Sequence, residues 1–365
     1  MRLVIDATAL LGVRTGIGRY VEHLLRELPA AIARRDAEAS LAISTWTRHR
    51  GRPADAPPAF EHVGLPVPAT ALFTAWERTD HPRIETLVGR CDVFHGTNFV
   101  SPPTRRAREV VTVHDLTYAL RRDTVSATSR RYETLVARAL DRGAQVAVLN
   151  ETMAGVVGDF YGLEPGRVVA TPLGVDDGWF TAPAASRAWL ASRGLPPDYL
   201  VYVGSLDPRK NLPRLLDAHR RARSQFPQLP DLVLAGPAGR ERDLGDRPGV
   251  HLTGWLNDGE LQALVAGSRA LVLASLDEGF GLPVLEALAC GRPVVISDLP
   301  VLLEVSGGLG VAIAPTDTDA LAEALIDVLE QPDGAADRDR RRAWARRWSW
   351  STCADRTLDA YGIPA

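Results

Sequence analysis

The sequence predicts an α/β protein built from two doubly wound, Rossmann-like domains, each with a parallel β-sheet. Its 365 residues suit two domains of about 150 to 200 residues each. Short β-branched apolar runs alternate with amphipathic stretches in both halves of the chain, which is typical of parallel βαβ units. Many of these runs are apolar throughout, as expected of strands that are buried on both faces. In such domains a ligand binds at the carboxyl ends of the strands.

Each half of the chain contains a series of predicted strands. In the first half they cover residues 3–7, 41–46, 93–95, 110–114, 144–150 and 168–172. In the second half they cover residues 200–205, 232–236, 250–254, 270–275, 293–297 and 311–314. The clearest helical patterns lie between them, at residues 17–28, 127–140, 212–225, 258–266 and 319–329. The two halves share this pattern but no sequence repeat.

The turn-rich segment 173–178 separates the two series and marks the expected domain boundary. We therefore expect one domain over residues 1–174 and a second domain over residues 175–342. A polar helix is predicted from about Asp337 to Tyr361. Its tryptophans need a surface to pack on, so residues 343–365 are expected to return to the first domain.

Composition excludes several classes of protein. Forty-five per cent apolar and 24% charged residues are ordinary for a globular protein and exclude a disordered or collagen-like chain. A net charge of −3 argues against nucleic acid as a partner, and three scattered cysteines argue against a disulfide framework. Without an apolar run of about 18 residues or a signal-like start, we expect a cytoplasmic protein. The first 176 residues carry a slight basic excess, which allows at most a peripheral contact with the inner membrane face.

Of the 42 basic residues, 41 are arginine and one is lysine, Lys210. A compact ammonium at one position in such a chain suggests a role that a planar guanidinium cannot fill. Lys210 follows Arg209 just after a predicted strand, where a helix is expected to open near Pro208. Cations normally avoid a helix N-terminus because the helix dipole is positive there. Two cations in the first helical turn therefore predict an anion that they bind together with free backbone N–H groups.

A second segment follows another buried strand and runs from Ser275 to Glu286. Its glycines, Gly279 and Gly281, allow a ligand to approach the backbone closely. Glu278 and Glu286 lie at either end of the segment, and a ligand rich in hydroxyl groups suits such carboxylate acceptors. We expect the helix after this loop to begin at the following proline.

Weaker signals lie in the first half. His114 ends a buried strand and could bind a sugar hydroxyl or move a proton, whereas His95 is expected to be structural. Residues 14–20 contain a Gly-x-Gly pattern that lacks the third glycine of a dinucleotide fingerprint. This pattern suggests a flexible loop before a helix.

Two Asp-x-Asp pairs in the second half, at Asp317 and Asp337, have a spacing that can bind a metal ion. They are better explained as helix caps, so no metal site is predicted.

Residues 51–68 carry five prolines and no periodicity, and predict a mobile loop on the first domain.

The motifs together resemble the retaining glycosyltransferases of family four, which are nucleotide-sugar-dependent enzymes with the GT-B fold. The resemblance rests on Gly-Ser-Leu-Asp-Pro-Arg-Lys-Asn-Leu at 204–212 and Glu-Gly-Phe-Gly-Leu-Pro-Val-Leu-Glu at 278–286. It extends to Thr-Gly-Ile-Gly-Arg-Tyr at 15–20, Val-His-Asp-Leu at 113–116 and Gly-Val-Asp at 174–176. It implies two domains that face each other across a cleft. The nucleotide sugar would bind mainly to the second domain, residues 175–342, and the acceptor to the first, residues 1–174.

The resemblance also implies the roles of individual residues. His114, Lys210 and Glu278 would be catalytic. The donor would be bound by Gly16, Arg209, Lys210, Leu256, Glu278, Gly279, Phe280, Gly281, Leu282 and Glu286. Within this set Lys210 and Arg209 would neutralise the diphosphate, and Glu286 would hold the ribose. Ser205 stands where many members carry a phosphate-binding arginine, which increases the weight on Lys210.

The function implied is the transfer of a hexose from a nucleoside diphosphate sugar to an acceptor hydroxyl, without metal or cofactor. GDP-mannose is the favoured donor, and the acceptor is a glycan, a lipid-linked sugar or a small molecule. The alternatives are a UDP-sugar-dependent member of the same family and a non-catalytic sugar-nucleotide-binding protein. A phosphorylase would need a cofactor lysine, and the single lysine already lies in the phosphate segment.

Overall fold

The computed structural model describes residues 1–12, 15–47, 51–123, 125–237, 239, 244, 247–331 and 333–364. The chain divides into two compact units. The first unit combines Met1–Gly174 with the C-terminal segment Ser349–Ala365, and the second unit is Val175–Trp348.

The first unit contains a parallel sheet of seven strands in the order β3-β2-β1-β4-β5-β6-β7. Its strands are β1 (Arg2–Asp6), β2 (Ser40–Ser44), β3 (Glu61–Val63), β4 (Val93–Gly96), β5 (Arg108–Thr112), β6 (Gln145–Val148) and β7 (Val168–Ala170). Its helices are α1 (Gly16–Arg34), α2 (Ala69–Trp76), α3 (Ile84–Val88), α4 (Thr117–Leu120), α5 (Ala127–Arg130), α6 (Tyr132–Asp141) and α7 (Glu151–Tyr161).

The second unit contains a parallel sheet of six strands in the order β10-β9-β8-β11-β12-β13. Its strands are β8 (Tyr199–Val203), β9 (Asp231–Ala235), β10 (Val250–Gly254), β11 (Leu271–Leu273), β12 (Val294–Ser297) and β13 (Val311–Ile313). Its helices are α8 (Asp177–Thr181), α9 (Arg187–Ser192), α10 (Leu212–Gln225), α11 (Asp258–Gly267), α12 (Leu282–Ala289), α13 (Pro300–Ser306), α14 (Thr318–Glu330) and α15 (Ala335–Ala345). The predicted class, two doubly wound α/β units, is confirmed.

The strand orders determine where ligands can bind. In the first unit the chain winds outward from β1 in one direction and from β4 in the other. In the second unit the same reversal occurs between β8 and β11. At such a reversal the loops after the two central strands diverge and leave a crevice at the carboxyl edge of the sheet. Both crevices carry residues that the sequence singles out.

The C-terminal segment differs from the single helix predicted over residues 337–361. The structure contains two helices there, α15 in the second unit and α16 (Trp350–Tyr361) in the first. Ser349 separates them, because its hydroxyl accepts the backbone N–H of Thr352 (3.0 Å) and starts a new helix. The ring of Trp350 stacks on His23 of α1 at 4.4 Å between centroids. The chain thus enters the first unit at residue 349, six residues later than predicted.

Residues 51–68 were predicted as a loop, but the structure contains a short strand within them. Three of them form β3, which pairs in parallel with β2 at the sheet edge. Phe60, next to this strand, is 1% exposed, and Arg52 donates hydrogen bonds to the carbonyls of Phe60, Ala56 and Pro57. The proline-rich composition masks this short strand, and the arginine supplies contacts that no periodicity reveals.

Candidate functional site

In the second unit, the loops after β8 and β11 meet at the crevice. The N–H of Leu276, after β11, donates to the carbonyl of Arg209, after β8, at 2.8 Å. The side-chain amide of Asn211 donates to the carbonyls of Ala274 (3.0 Å) and Pro315 (2.8 Å). These bonds join the two segments that the sequence singles out into one structure.

The local backbone at Lys210 differs from the predicted helical turn. Pro208–Lys210 is a separate 3₁₀ turn, and α10 begins only at Leu212. Asn211 interrupts the helical path because its φ of 57° is left-handed, a conformation that asparagine tolerates better than most residues. Arg209 and Lys210 therefore lie before the helix rather than within its first turn.

A buried ion pair forms the centre of this site. The Nζ of Lys210 lies 2.5 Å from Oε1 of Glu278, and the Ser275 hydroxyl donates to the same oxygen at 2.7 Å. The guanidinium of Arg209 lies 3.4 Å from the other carboxylate oxygen and donates to the carbonyl of Asp277 at 3.3 Å. Lys210 is 8% exposed and Glu278 is 7% exposed. Two cations and a hydroxyl therefore converge on one carboxylate.

The electrostatics keep Glu278 ionised. Burial alone would raise the pKa of this carboxyl, because a charge loses hydration in the protein interior. The charges of Lys210 and Arg209 and the hydrogen bonds from Lys210 and Ser275 outweigh burial and hold the pKa of Glu278 below its ordinary value. The site is therefore arranged to hold charge, and an incoming anion could replace Glu278 as the partner of Lys210.

Glycines end three neighbouring strands at this edge. Gly204, Gly236 and Gly254 follow or end β8, β9 and β10. A Cβ on Gly236 would lie 2.0 Å from the carbonyl oxygen of Gly204, and one on Gly204 would lie 2.6 Å from the Tyr202 hydroxyl. Both glycines have a positive φ and lack room for a side chain, so the strand ends pack closely against each other at this edge. The Tyr202 hydroxyl donates to the carbonyl of Ser205 (2.8 Å), which fixes the turn after β8.

The loop after β11 ends at α12. Gly281 caps this helix with a φ of 94°, and a Cβ there would lie 2.5 Å from Cδ2 of Leu302. As predicted, a proline occupies the helix start, here directly after Leu282. Phe280 is 4% exposed and its ring packs edge to face on Trp348 at 5.4 Å. Phe280 therefore anchors the loop with its ring, and its backbone is the part suited to a ligand.

Two further predicted donor-binding residues, Glu286 and Leu256, lie in α12 and after β10. Glu286 is in α12, one turn beyond Leu282, and is 4% exposed. Leu256 follows β10 and is 6% exposed, whereas its neighbour Trp255 is 57% exposed. Asn257 then caps α11 through the N–H of Glu260 (2.9 Å). Trp255 and Leu256 belong to the strand-edge segment 253–256, which the resemblance assigns to the lining of the base pocket.

In the first unit, His114 follows β5 at the carboxyl edge. Its Nε2 lies 2.8 Å from the carbonyl oxygen of Thr97, so this nitrogen carries the proton. The rings of Tyr20 and Phe99 pack edge-on against the imidazole at 5.6 and 5.2 Å. Burial lowers the pKa of His114, despite opposing contributions from the Thr97 carbonyl and the Asp115 charge. The imidazole is neutral at neutral pH.

His95 lies deeper and is hydrogen bonded on both sides. Its Nδ1 lies 2.8 Å from the Tyr361 hydroxyl of α16, and its Nε2 lies 2.7 Å from the Thr112 hydroxyl. The Tyr20 hydroxyl lies 3.1 Å from the same threonine oxygen. Burial lowers the pKa of His95 to about 3. This neutral network ties the returning helix to the strands that carry His114.

Gly16 does not lie in a flexible loop as predicted, because it is the first residue of α1. A Cβ at this position would meet no atom within 4 Å, so the space beside it is open. Gly18 is buried within the same helix. Arg14, which precedes this segment, lies outside the described residues.

The described part of the chain contains no group of three or more His, Cys, Asp or Glu side chains that could hold a metal ion. Asp317 caps α14 by accepting the N–H groups of Asp319 (3.1 Å) and Ala320 (2.9 Å), as predicted. Within the same residues, no helix combines the length and apolarity needed to cross a membrane.

The structure therefore joins Arg209, Lys210 and Glu278 in one cluster, and it places His114 and Gly16 in the first unit. Sequence reasoning missed the residues that hold these groups, above all Ser275, Asn211, Thr97 and Phe99. Each acts through hydrogen bonds or ring contacts made from a loop, and such contacts leave no periodic signal in the sequence. The pairing of Lys210 with Glu278 was also not predicted.

Comparison with known proteins agrees with this architecture. Residues 14–179 match the family described as Glycosyltransferase Family 4, and residues 197–331 match Glycosyl transferases group 1. O-antigen chain mannosyltransferase B of Escherichia coli is 30% identical over 287 residues, which cover 74% of each chain. MMP alpha-(1->4)-mannosyltransferase of Mycolicibacterium hassiacum is 31% identical over 228 residues, which cover 59% of this chain and 53% of that protein.

Solved structures share the fold over the whole chain. The glycosyltransferase WaaG superposes with a TM-score of 0.66 at 20% identity and covers 100% of this chain and 97% of its own. Anabaena HepE in complex with UDP gives a TM-score of 0.65 at 20% identity and covers 98% of both chains.

The fold is that of a GT-B glycosyltransferase. The chain belongs to the family 4, or group 1, glycosyltransferases, a family of retaining hexosyltransferases.

Proposed function

We propose that this protein transfers mannose from GDP-mannose to an acceptor hydroxyl with retention of the anomeric configuration. The main support for a donor site is the buried ion pair of Lys210 with Glu278, which Arg209 flanks. This pair lies where the strand order of the second unit reverses, between β8 and β11. The two cations Arg209 and Lys210 suit a diphosphate, and the buried carboxylate of Glu278 suits the hydroxyl groups of a sugar.

In the proposed reaction the bond between the anomeric carbon and the diphosphate breaks first. Negative charge then grows on the leaving phosphate, and Lys210 and Arg209 stabilise it. Preorganised cations are effective here because they need no reorganisation as the charge develops. The acceptor hydroxyl attacks the anomeric carbon on the face that the phosphate leaves, and its proton passes to the leaving phosphate. Nucleoside diphosphate and the new glycoside are the products.

Glu278 changes partner in this proposal. Without donor it neutralises Lys210. With donor bound, the diphosphate supplies the negative charge, and Glu278 becomes free to accept hydrogen bonds from hydroxyls of the sugar. The backbone N–H groups of Gly279, Phe280 and Gly281 add donors to the same sugar, and the N-terminus of α12 at Leu282 lies beside them.

The remaining residues complete donor binding. Glu286 accepts hydrogen bonds from the ribose, and Leu256 lines the base pocket. Gly16, with open space at the start of α1, lets the phosphates approach the helix N-terminus. His114 contacts the transferred sugar near the reacting carbon.

The preference for mannose is supported by the names of two relatives, both of which are mannosyltransferases. A UDP-sugar is the second candidate, because HepE, which shares the fold, is described in complex with UDP. The acceptor is a glycan, a lipid-linked sugar or a small molecule, and we place the reaction in the cytoplasm, with at most a peripheral contact to the inner membrane face.

The donor is tested by incubating the enzyme with GDP-mannose, UDP-glucose or UDP-N-acetylglucosamine without acceptor. Measurement of nucleoside diphosphate release then reports slow donor hydrolysis. We expect release from GDP-mannose, and a thermal shift with GDP that exceeds the shift with UDP. A ligand present at a hundred times its dissociation constant stabilises the folded protein by about 2.7 kcal/mol, which is enough to shift its Tm measurably. Release from a UDP-sugar alone would replace the mannose proposal, and binding without release would favour a sugar-nucleotide-binding protein.

A further inference from the structure

We infer that Thr97 is a positioning residue that sets the tautomer and orientation of His114. In this arrangement Nε2–H is held by the protein and Nδ1 is offered as a hydrogen-bond acceptor to a hydroxyl of the bound sugar. The inference rests on the proposed role of His114 at the transferred sugar, but its geometric part can be measured without any reaction.

Thr97 connects the two central strands of the first unit to His114. Its hydroxyl donates to the carbonyl of Asp6 at the end of β1 (2.7 Å), and its own carbonyl accepts Nε2–H of His114 (2.8 Å). Thr97 itself is 0% exposed. The side chain thus fixes the peptide whose oxygen binds the imidazole. A neutral imidazole that donates from Nε2 keeps its lone pair on Nδ1.

The turn around Thr97 is built for this position. A Cβ on Gly96 would lie 1.8 Å from the carbonyl oxygen of Val100, so only glycine allows the chain to fold back so tightly. Phe99 has a left-handed φ of 60°, which is uncommon for a large side chain. Its N–H donates to the carbonyl of Thr112 (3.0 Å). The conformation costs energy, and local strain of this kind persists where the surrounding structure enforces it.

That conformation directs the Phe99 ring onto the imidazole. The ring of Phe99 is edge-on to His114 at 5.2 Å and stacks on Tyr132 at 4.7 Å. Tyr20 closes a second side of the imidazole at 5.6 Å. With Nε2 tied to Thr97 and two rings fixing its plane, the imidazole has little freedom to flip. A ring flipped about the Cβ–Cγ bond would place carbon atoms where Nε2 and Nδ1 now lie, and would lose both the bond to Thr97 and the hydroxyl contact.

The kinetic test compares Thr97→Val, which removes the hydroxyl, with Thr97→Ser, which keeps it. We expect Thr97→Val to lower kcat about tenfold with little change in the Kd for nucleoside diphosphate, the cost of one misaligned hydrogen bond. Thr97→Ser should restore most of kcat. The matched control is Thr171→Val, since Thr171 is equally buried and donates to a strand carbonyl, that of Val148 (3.0 Å), in the same unit.

Comparable kcat losses in Thr97→Val and Thr171→Val, with comparable losses of Tm, would overturn the inference. In that case Thr97 would matter only for stability.

The direct test is NMR of the protein labelled with ¹⁵N-histidine, with the His114 signals identified by their absence in His114→Asn. We expect the Nε2–H tautomer in the wild type and a mixture of tautomers in Thr97→Val. A protonated Nδ1 in the wild type would overturn the inference. This readout also separates the two proposals, because the tautomer does not depend on which donor the enzyme uses or on whether His114 contacts the sugar.

Discussion

The ammonium of Lys210 donates a 2.5 Å hydrogen bond to the carboxylate of Glu278, and both side chains are more than nine-tenths buried. These residues lie 68 positions apart in the sequence, on the loops after the two central strands of one sheet. Their pairing neutralises two charges that would otherwise be costly to bury. The same pairing means that a diphosphate must compete with Glu278 for Lys210.

Glu278→Gln should separate donor-sugar recognition from diphosphate binding. Glutamine keeps the shape of the side chain but removes the charge that competes with phosphate for Lys210. We expect turnover of the sugar nucleotide to fall by about a hundredfold or more, as on loss of a preorganised group. Nucleoside diphosphate should bind at least as tightly as to the wild type, measured by calorimetry. Weaker binding of the diphosphate would contradict the competition between phosphate and Glu278.

Stability should depend on pH through Glu278. The folded-state pKa of this carboxyl is lowered, so its contribution is fully present above the ordinary value of 4.5 and is lost as pH falls through the folded pKa. We expect the difference in Tm between wild type and Glu278→Gln to be constant from pH 7 to about 5 and to shrink at lower pH. A difference that grows on acidification would show that the pKa of Glu278 is raised instead.

His114→Ala should lower kcat by about tenfold to a hundredfold while leaving the Kd for nucleoside diphosphate nearly unchanged, because it removes a hydrogen bond to the sugar alone. The comparison needs kcat and a calorimetric Kd for the same preparation. His62→Ala is the matched control, since His62 lies in the same unit and bonds the Thr45 hydroxyl (3.1 Å). Equal losses in kcat and diphosphate affinity would make His114 a structural residue.

Activity should survive chelation, because Lys210 and Arg209 supply positive charge for the leaving phosphate. The measurement is the initial rate of donor turnover after dialysis against EDTA, with and without added Mg²⁺ or Mn²⁺. We expect the rates with EDTA alone and with added metal to agree within about twofold. Loss of a charged group at the phosphates would instead lower the rate about 100-fold or more. A rate abolished by EDTA and restored by Mn²⁺ would place a metal ion at the phosphates.

The sequence was sufficient for most strands of the two sheets, but not for the short edge strand β3 or for where some helices begin and end. Strands such as β8 and β12 are continuous apolar runs, so their pattern reveals both their position and their burial. The three-residue β3 lacks such a run and was predicted as a loop. The break between α15 and α16 depends on the Ser349 cap, which competes with an otherwise helical pattern.

The candidate site shows the same division. Residue type and spacing identified Lys210 and Glu278, because a single lysine and a flanked glycine loop stand out in the chain. Their contact could not be predicted, since it depends on the strand order that makes β8 and β11 neighbours. Thr97 left no signal at all, because its hydroxyl bond to Asp6 and its carbonyl bond to His114 are made from an irregular turn that has no periodic pattern.

The proposed reaction depends most directly on Lys210, and the decisive measurement is kcat/KM for Lys210→Ala and Lys210→Arg with one donor. Arg220→Ala is the control, since Arg220 is an exposed cation of α10. We expect kcat/KM to fall about 100- to 1,000-fold in Lys210→Ala, as on removal of one preorganised charge. A guanidinium is wider and prefers a bidentate partner, so Lys210→Arg should recover only part of the loss. An arginine variant as active as the wild type would contradict the account, because the compact ammonium would then have no special role at the phosphate.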